Sequence, residues 1–180
     1  MRNFYSEKNM AKTTTQLASI IRVNHAGEYG AKRIYAGQLA AIKNPQTKKI
    51  IAKMAAGEEE HLQYFEKQMV ERAVRPTVLQ PIWHVGGWCL GAATALMGER
   101  AAMACTVAVE SVIAEHYESQ IEATENEIEL QQKIKQFRCD EIEHHDIGIA
   151  HDAQQTPAYK MLYHTIRGIT KLAIETSKRL

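Results

Sequence analysis

Cysteine is scarce in this chain and poorly placed for a crosslinked scaffold. Cys89, Cys105 and Cys139 form an odd, widely spaced set beside apolar or helical sequence, which argues against a disulfide framework and for a reducing environment. The only prolines, Pro45, Pro76, Pro81 and Pro157, all stand where turns or helix starts are expected. No segment demands a β-strand, and no glycine-rich nucleotide loop follows one. A net charge of +1 over 180 residues makes no case for nucleic acid as a partner. The first twenty residues hold neither an apolar core of signal length nor a long arginine-rich transit segment, so cytoplasmic exposure is the default expectation.

Charge is also missing locally. From Pro76 to Gly98 the chain reads PTVLQPIWHVGGWCLGAATALMG, with no Asp, Glu, Lys or Arg. The helix that fits after Pro81, near residues 82–97, falls short of the roughly 20 residues that a perpendicular membrane span requires. With Trp83 and Trp88 it suits partial insertion at a lipid surface, while a buried crossover helix is the alternative. Elsewhere charge is divided by segment: 13 basic and 7 acidic side chains in residues 1–75, 4 and 13 in residues 99–152, 5 and 1 in residues 153–180. This division either pairs helices across one fold or builds a basic surface for a membrane or partner.

What is present is helical period. Residues 1–13 are polar and expected to be flexible; residues 14–180 are expected to form one domain. Thr13 and Gln16 resemble a capping box opening a helix over roughly 14–43, and Asn44-Pro45 opens a second to about residue 72. Helices are also expected from Gly98 to about Ala123, from a Thr124/Glu127 capping box to about residue 151, and from Thr156-Pro157 onward. The fold class is therefore all-α, a helical bundle with an additional apolar helix.

Against this frame, certain carboxylates fall on inward faces. Glu28 lies seven residues from both Ile21 and Tyr35, close to two turns of a helix with about 3.6 residues per turn. Glu58 follows Met54 by four and precedes Phe65 by seven, and His61 stands three further on. The second half repeats this, with Glu110 three after Val107, and Glu141 four after Phe137 with His144 at the same offset of three. Four core-facing glutamates demand neutralisation or pairing. Two divalent ions would answer their charge, with the two imidazoles as neutral ligands. One Glu from each of two helices and Glu-x-x-His from the other two is the inventory of a four-helix dimetal carboxylate site. Oxygen-rich ligation with one nitrogen per metal suits iron or manganese rather than structural zinc.

Several neighbours are weaker candidates. His25 could hydrogen-bond Glu28 from one turn before it, or be a satisfied polar histidine. Asp140 and Glu143 either orient ligands on neighbouring helices or face water, and His145 is a less favoured alternative to His144. Tyr117 either approaches a substrate or electron path or is a core tyrosine; His116, Tyr64, Tyr163 and His151 are only possible neighbours of the site.

The stretches NHAGEYGA, EEEH, CTVAVE and RCDEIEHHDIG together resemble the demethoxyubiquinone hydroxylase family, ferritin-like di-iron carboxylate proteins, over nearly the whole chain from Leu17. The resemblance implies a non-haem di-iron monooxygenase that uses O2 to hydroxylate a demethoxylated polyprenyl benzoquinone in ubiquinone biosynthesis. It carries the iron-ligand role to Glu28, Glu58, His61, Glu110, Glu141 and His144, with Glu58 and Glu141 shared between the metals. It also matches His116 and Tyr117 to a His-Tyr pair coupling quinone, electrons and iron. The implied setting is the lipid surface of a bacterial inner membrane, on its cytoplasmic face, with a protein partner of quinone biosynthesis. NADH, another reductase and the reduced quinone ring stay open as electron source. A related di-iron quinol oxidase and an iron-oxidising or storage protein are the competing readings.

Overall fold

In the computed structural model of the protein, residues 15–179 are described with their side chains. The side chains of the expected flexible segment 1–13 lie outside them, and Thr13, expected to cap a helix over 14–43, stands inside a first helix that begins at Arg2. The element order is α1 (Arg2–Ala41), α2 (Pro45–Glu71), α3 (Gln80–Leu96), α4 (Glu99–Glu118), α5 (Ile128–Ala150) and α6 (Tyr159–Arg179), with short 3₁₀ turns at Glu122–Thr124 and Ala153–Gln155. No strand occurs among the described residues. The fold is an all-α bundle of the ferritin-like four-helix type.

Local chemistry sets most boundaries. Asn44 caps α2 by accepting from the backbone N–H groups of Gln46 and Thr47, and Pro45 fills a first-turn position that needs no N–H. The expected capping box of Thr124 and Glu127 does not form. Glu127 occupies the cap position of α5 without a side-chain capping bond, and the Thr124 hydroxyl instead donates back to the carbonyl of Gln120 at 2.9 Å. Thr156-Pro157 precedes α6, which begins at Tyr159 after a left-handed Ala158.

Helix α1 packs on α2, and α4 on α5, giving two hairpins. Helix α3 lies along α1 and leads into α4, while α6 covers α4 and α1. Because α3, α5 and α6 all pack on α4, its residues 101–110 are buried on every side. The segmental charge division pairs helices across the fold: Lys53 with Glu143 and Arg72 with Glu127 between the first and second hairpins, and Arg167 and Lys171 of α6 with Glu115 of α4.

Helix α3 spans 17 residues, about 26 Å at the rise of an α-helix, and no described helix is long and apolar enough to cross a membrane. It is not the fully buried crossover either. Gly91, Ala92, Thr94 and Ala95 are buried, but Ile82 (57% exposed), Val85 (62%) and Leu96 (79%) are not. Between α1, α3, α4 and α6 lies a cavity of ≈ 250 Å³, walled by side chains such as Ile34, Leu90, Val109, Ile113 and Ile174 and bridged by a Trp83 indole N–H donating to Ser177 Oγ at 3.0 Å.

Candidate metal centre

The hairpin geometry brings the six inward residues together in two overlapping groups. Glu28, Glu58, His61 and Glu141 form one, and Glu58, Glu110, Glu141 and His144 the other, each with one donor atom per residue all within 4.8 Å of one another. Glu58 and Glu141 belong to both. The four carboxylates and His61 are essentially sealed from solvent, and His144 is 8% exposed. Glu59 and Glu60, by contrast, are partly or fully exposed, and Glu59 pairs with Lys32.

His61 Nδ1 lies 3.1 Å from Glu141 Oε1 and 3.4 Å from Glu28 Oε2, while its Nε2 lies 3.1 Å from Asp140 Oδ2. Asp140, one helical step before Glu141, thus holds the far side of the ring, so that Nδ1 faces the carboxylates. His144 Nδ1 sits 3.0 Å from Glu58 Oε1 and 3.5 Å from Glu141 Oε2, close but not aligned as hydrogen bonds. Tyr35 donates to Glu110 Oε1 at 2.7 Å, and the Tyr117 hydroxyl donates to Glu28 Oε1.

The electrostatics are those of a cation site. Burial, together with the neighbouring glutamates, pushes Glu58 and Glu110 well above the usual carboxylate range. Burial would raise Glu141 as well, but its contacts with His144 and His61 and their positive charge hold it at about 2. Burial works against a charged His61, and its bond to Glu141 and the nearby Glu28 carboxylate outweigh that and raise it to about 11.

Over residues 15–177 the chain matches the model of the family described as ubiquinone biosynthesis protein COQ7. The chain belongs to the COQ7 family. It is 53% identical to human NADPH-dependent 3-demethoxyubiquinone 3-hydroxylase, mitochondrial, over 166 residues, covering 89% of this chain and 76% of the human protein. It is 47% identical over 162 residues to the 3-demethoxyubiquinol 3-hydroxylase of Rhodospirillum rubrum, with the same two coverages. The 5-demethoxyubiquinone hydroxylase of Saccharomyces cerevisiae, also mitochondrial, is 37% identical over 182 residues, covering 91% and 78%.

A COQ7-family fold implies two resident iron ions, and the donor atoms fit them. Glu28 Oε2, both oxygens of Glu58, Glu110 Oε2, Glu141 Oε2 and His144 Nδ1 are all buried without a hydrogen-bond partner. Orphaned acceptors on this scale are costly unless a cation meets them.

The remaining candidates stand apart. His25 makes no bond to Glu28; it is buried with Nδ1 unpartnered and its ring stacked on Tyr29, and burial lowers its pKa. His116 turns to Gln120, 2.7 Å away, within a reciprocal Asn24–Gln120 amide pair. Glu143 is exposed beside Lys53, and His145 faces Asp146. Tyr64, Tyr163 and His151 join neither group. Asp140 was one open candidate among several, whereas the role of Tyr35 went unread, although its offset of seven from Glu28 equals that of Tyr117 from Glu110.

Proposed function

We propose that this chain is a di-iron monooxygenase that uses O2 to hydroxylate a demethoxylated polyprenyl benzoquinone at a membrane surface. The observation that carries the reading is the pair of buried carboxylate-histidine groups sharing Glu58 and Glu141 in a chain of the COQ7 family. Glu28 and His61 would hold one ion, Glu110 and His144 the other, with Glu58 and Glu141 between them. Ferrous ions held there would supply the O2 reduction and oxygen transfer that no side chain can perform.

The chain's own residues do the rest. Asp140 keeps the His61 Nε2–H engaged and Nδ1 directed inward. Tyr117 and Tyr35 hold one oxygen each of Glu28 and Glu110. The seal around the glutamates keeps bulk water from the reacting centre.

The apolar cavity supports a polyprenyl substrate. Its wall includes Gly27 and Val109, next in sequence to Glu28 and Glu110. A Cβ added at Gly27, Gly30 or Gly86 would meet nothing within 4 Å, so those positions leave room for a ligand. The cavity lies between α3 and α6, whose outer residues Ile82, Val85, Ile169 and Leu172 are exposed and apolar. This favours a peripheral enzyme taking its substrate from lipid. Relatives named as mitochondrial and one from Rhodospirillum rubrum match alike, so the assignment is to a membrane surface rather than to a bacterial inner membrane. The human relative is named as NADPH-dependent, and a reduced nicotinamide is the proposed electron source here.

Incubation of the ferrous protein with ¹⁸O₂, a reduced nicotinamide and a demethoxylated polyprenyl quinone should give product carrying one labelled oxygen atom. Oxidation of quinol without label in the ring would replace this reading with an oxidase. Uptake of many iron atoms per chain, instead of about two, would replace it with storage.

A further inference from the structure

The two glutamates contributed singly, Glu28 on α1 and Glu110 on α4, are held by tyrosines that have changed places. Tyr35 stands seven residues after Glu28 on its own helix, yet donates to Glu110 Oε1 at 2.7 Å. Tyr117 stands seven residues after Glu110, yet donates to Glu28 Oε1. Seven residues are about two turns, so each tyrosine shares the inward face of its helix with its own glutamate. The crossing sets Tyr35 opposite Glu110 and Tyr117 opposite Glu28, as antiparallel helices require.

Both tyrosines are about 1% exposed. In both glutamates the oxygen that meets the tyrosine is Oε1, and Oε2 has no hydrogen-bond partner. A buried carboxylate with both oxygens loose could rotate, whereas one tied by a charge-assisted bond has a fixed plane. The surroundings of the two rings differ. Tyr35 presents its edge to His144, with centroids 6.4 Å apart, and its hydroxyl lies 3.9 Å from Met54 Sδ. Tyr117 stacks on Phe65 and tilts against Phe137, which in turn lies 4.0 Å from the His61 ring.

We propose that Tyr35 and Tyr117 are a crossed pair of positioning residues, each reserving one oxygen of the opposite helix's glutamate and leaving the other free for a cation. Tyr35 governs the group that holds Glu110 and His144, and Tyr117 the group that holds Glu28 and His61. The proposal rests on the dinuclear reading of the site. It also makes the two hairpins interdependent, since each helix of the α1/α4 pair sets the ligand of its neighbour.

Anaerobic titration of the metal-stripped full chain with Co²⁺, followed by visible d–d absorption, tests this without turnover. Wild type is expected to take two ions per chain. Tyr35→Phe should weaken one of the two sites about tenfold and alter its spectrum, leaving the other unchanged. In a His144→Ala background, Tyr35→Phe should cost nothing further, while Tyr117→Phe should still weaken the remaining site. Met54→Leu disturbs packing at the same ring and should leave both affinities intact, which a merely structural role for Tyr35 would not predict. Glu110→Gln, which keeps the tyrosine bond but removes the anion, should weaken the same site as Tyr35→Phe and serves if that variant folds poorly. Two-site binding by Tyr35→Phe indistinguishable from wild type overturns the crossed pair alone. Wild-type binding that ends below two ions overturns the dinuclear reading and the pair together.

Discussion

Glu58 and Glu59 adjoin in sequence but differ in helical phase by about 100°, and their environments follow. Glu58 is sealed among Glu28, Glu110 and Glu141, while Glu59 meets Lys32 near the surface. Glu58→Ala removes a carboxylate common to both groups, so metal analysis should find both ions lost. Glu59→Ala should retain about two, because a partly exposed ion pair contributes about 1 kcal/mol at most. Equal metal content in the two variants would mean that the phase of α2 is misassigned. His116 offers a second test at this scale. Burial, with help from Lys178, lowers its pKa to about 4, so the folded chain resists its protonation while the unfolded chain accepts it near 6.5. A depressed value contributes stability above the unfolded pKa, and that contribution is lost as pH falls toward 4. Between pH 7 and 4.5 wild type should lose roughly 2 kcal/mol more than His116→Gln, as read by denaturant unfolding at the two pH values.

Glycine acts in opposite ways along the single contact of α1 with α3. A Cβ on Gly91 would stand 1.9 Å from the Ile34 carbonyl oxygen, and one on Gly37 2.1 Å from the Trp88 carbonyl oxygen. Backbone cannot yield as a side-chain tip does, so Gly91→Ala must push the helices apart. A cost of about 1–3 kcal/mol corresponds to a fall in melting temperature of about 2–4 °C per kcal/mol for a chain of this size. Gly27→Ala meets open space inside a helix and should be neutral or raise the melting temperature slightly, since alanine is the better helix former by about 0.5–1 kcal/mol. Calorimetry on the two variants should therefore give shifts of opposite sign or of very different size. What the sequence disclosed about the elements follows the same physics. Glu58, His61, Glu141 and His144 were legible because α2 and α5 each expose one side, leaving a clear period. Helix α4 is enclosed along residues 101–110, so its period carries less phase information, and Glu110 is legible from its offset of three from Val107 together with the repeat of the first half. The Tyr35–Glu110 and Tyr117–Glu28 bonds were unread because a side-chain partner on another helix depends on helix direction and stagger, which period alone does not contain.

At the scale of the whole molecule, α1 and α4 each turn one glutamate into the metal centre and also carry α3 and α6, the helices with the exposed apolar residues. Val85 (62% exposed) and Leu172 (65%) stand on α3 and α6, the two outer helices that help wall the apolar cavity. Under the proposed function a lipid surface would give both features one purpose, because residues entering the bilayer boundary would set the opening where a polyprenyl tail lies. Transfer of one such side chain into lipid is worth about 1.5–3 kcal/mol, so replacing it with a charge should lower vesicle binding by tenfold or more. Val85→Glu and Leu172→Glu should therefore fail to sediment with phospholipid vesicles and should lose turnover of a long-tailed demethoxylated quinone. Turnover of a short-tailed, water-soluble analogue should be preserved, since neither residue contributes to the carboxylate-histidine groups. Loss on both substrates would point to damage within the bundle. Retention of vesicle binding and of long-tail turnover in both variants would move the substrate entrance away from α3 and α6.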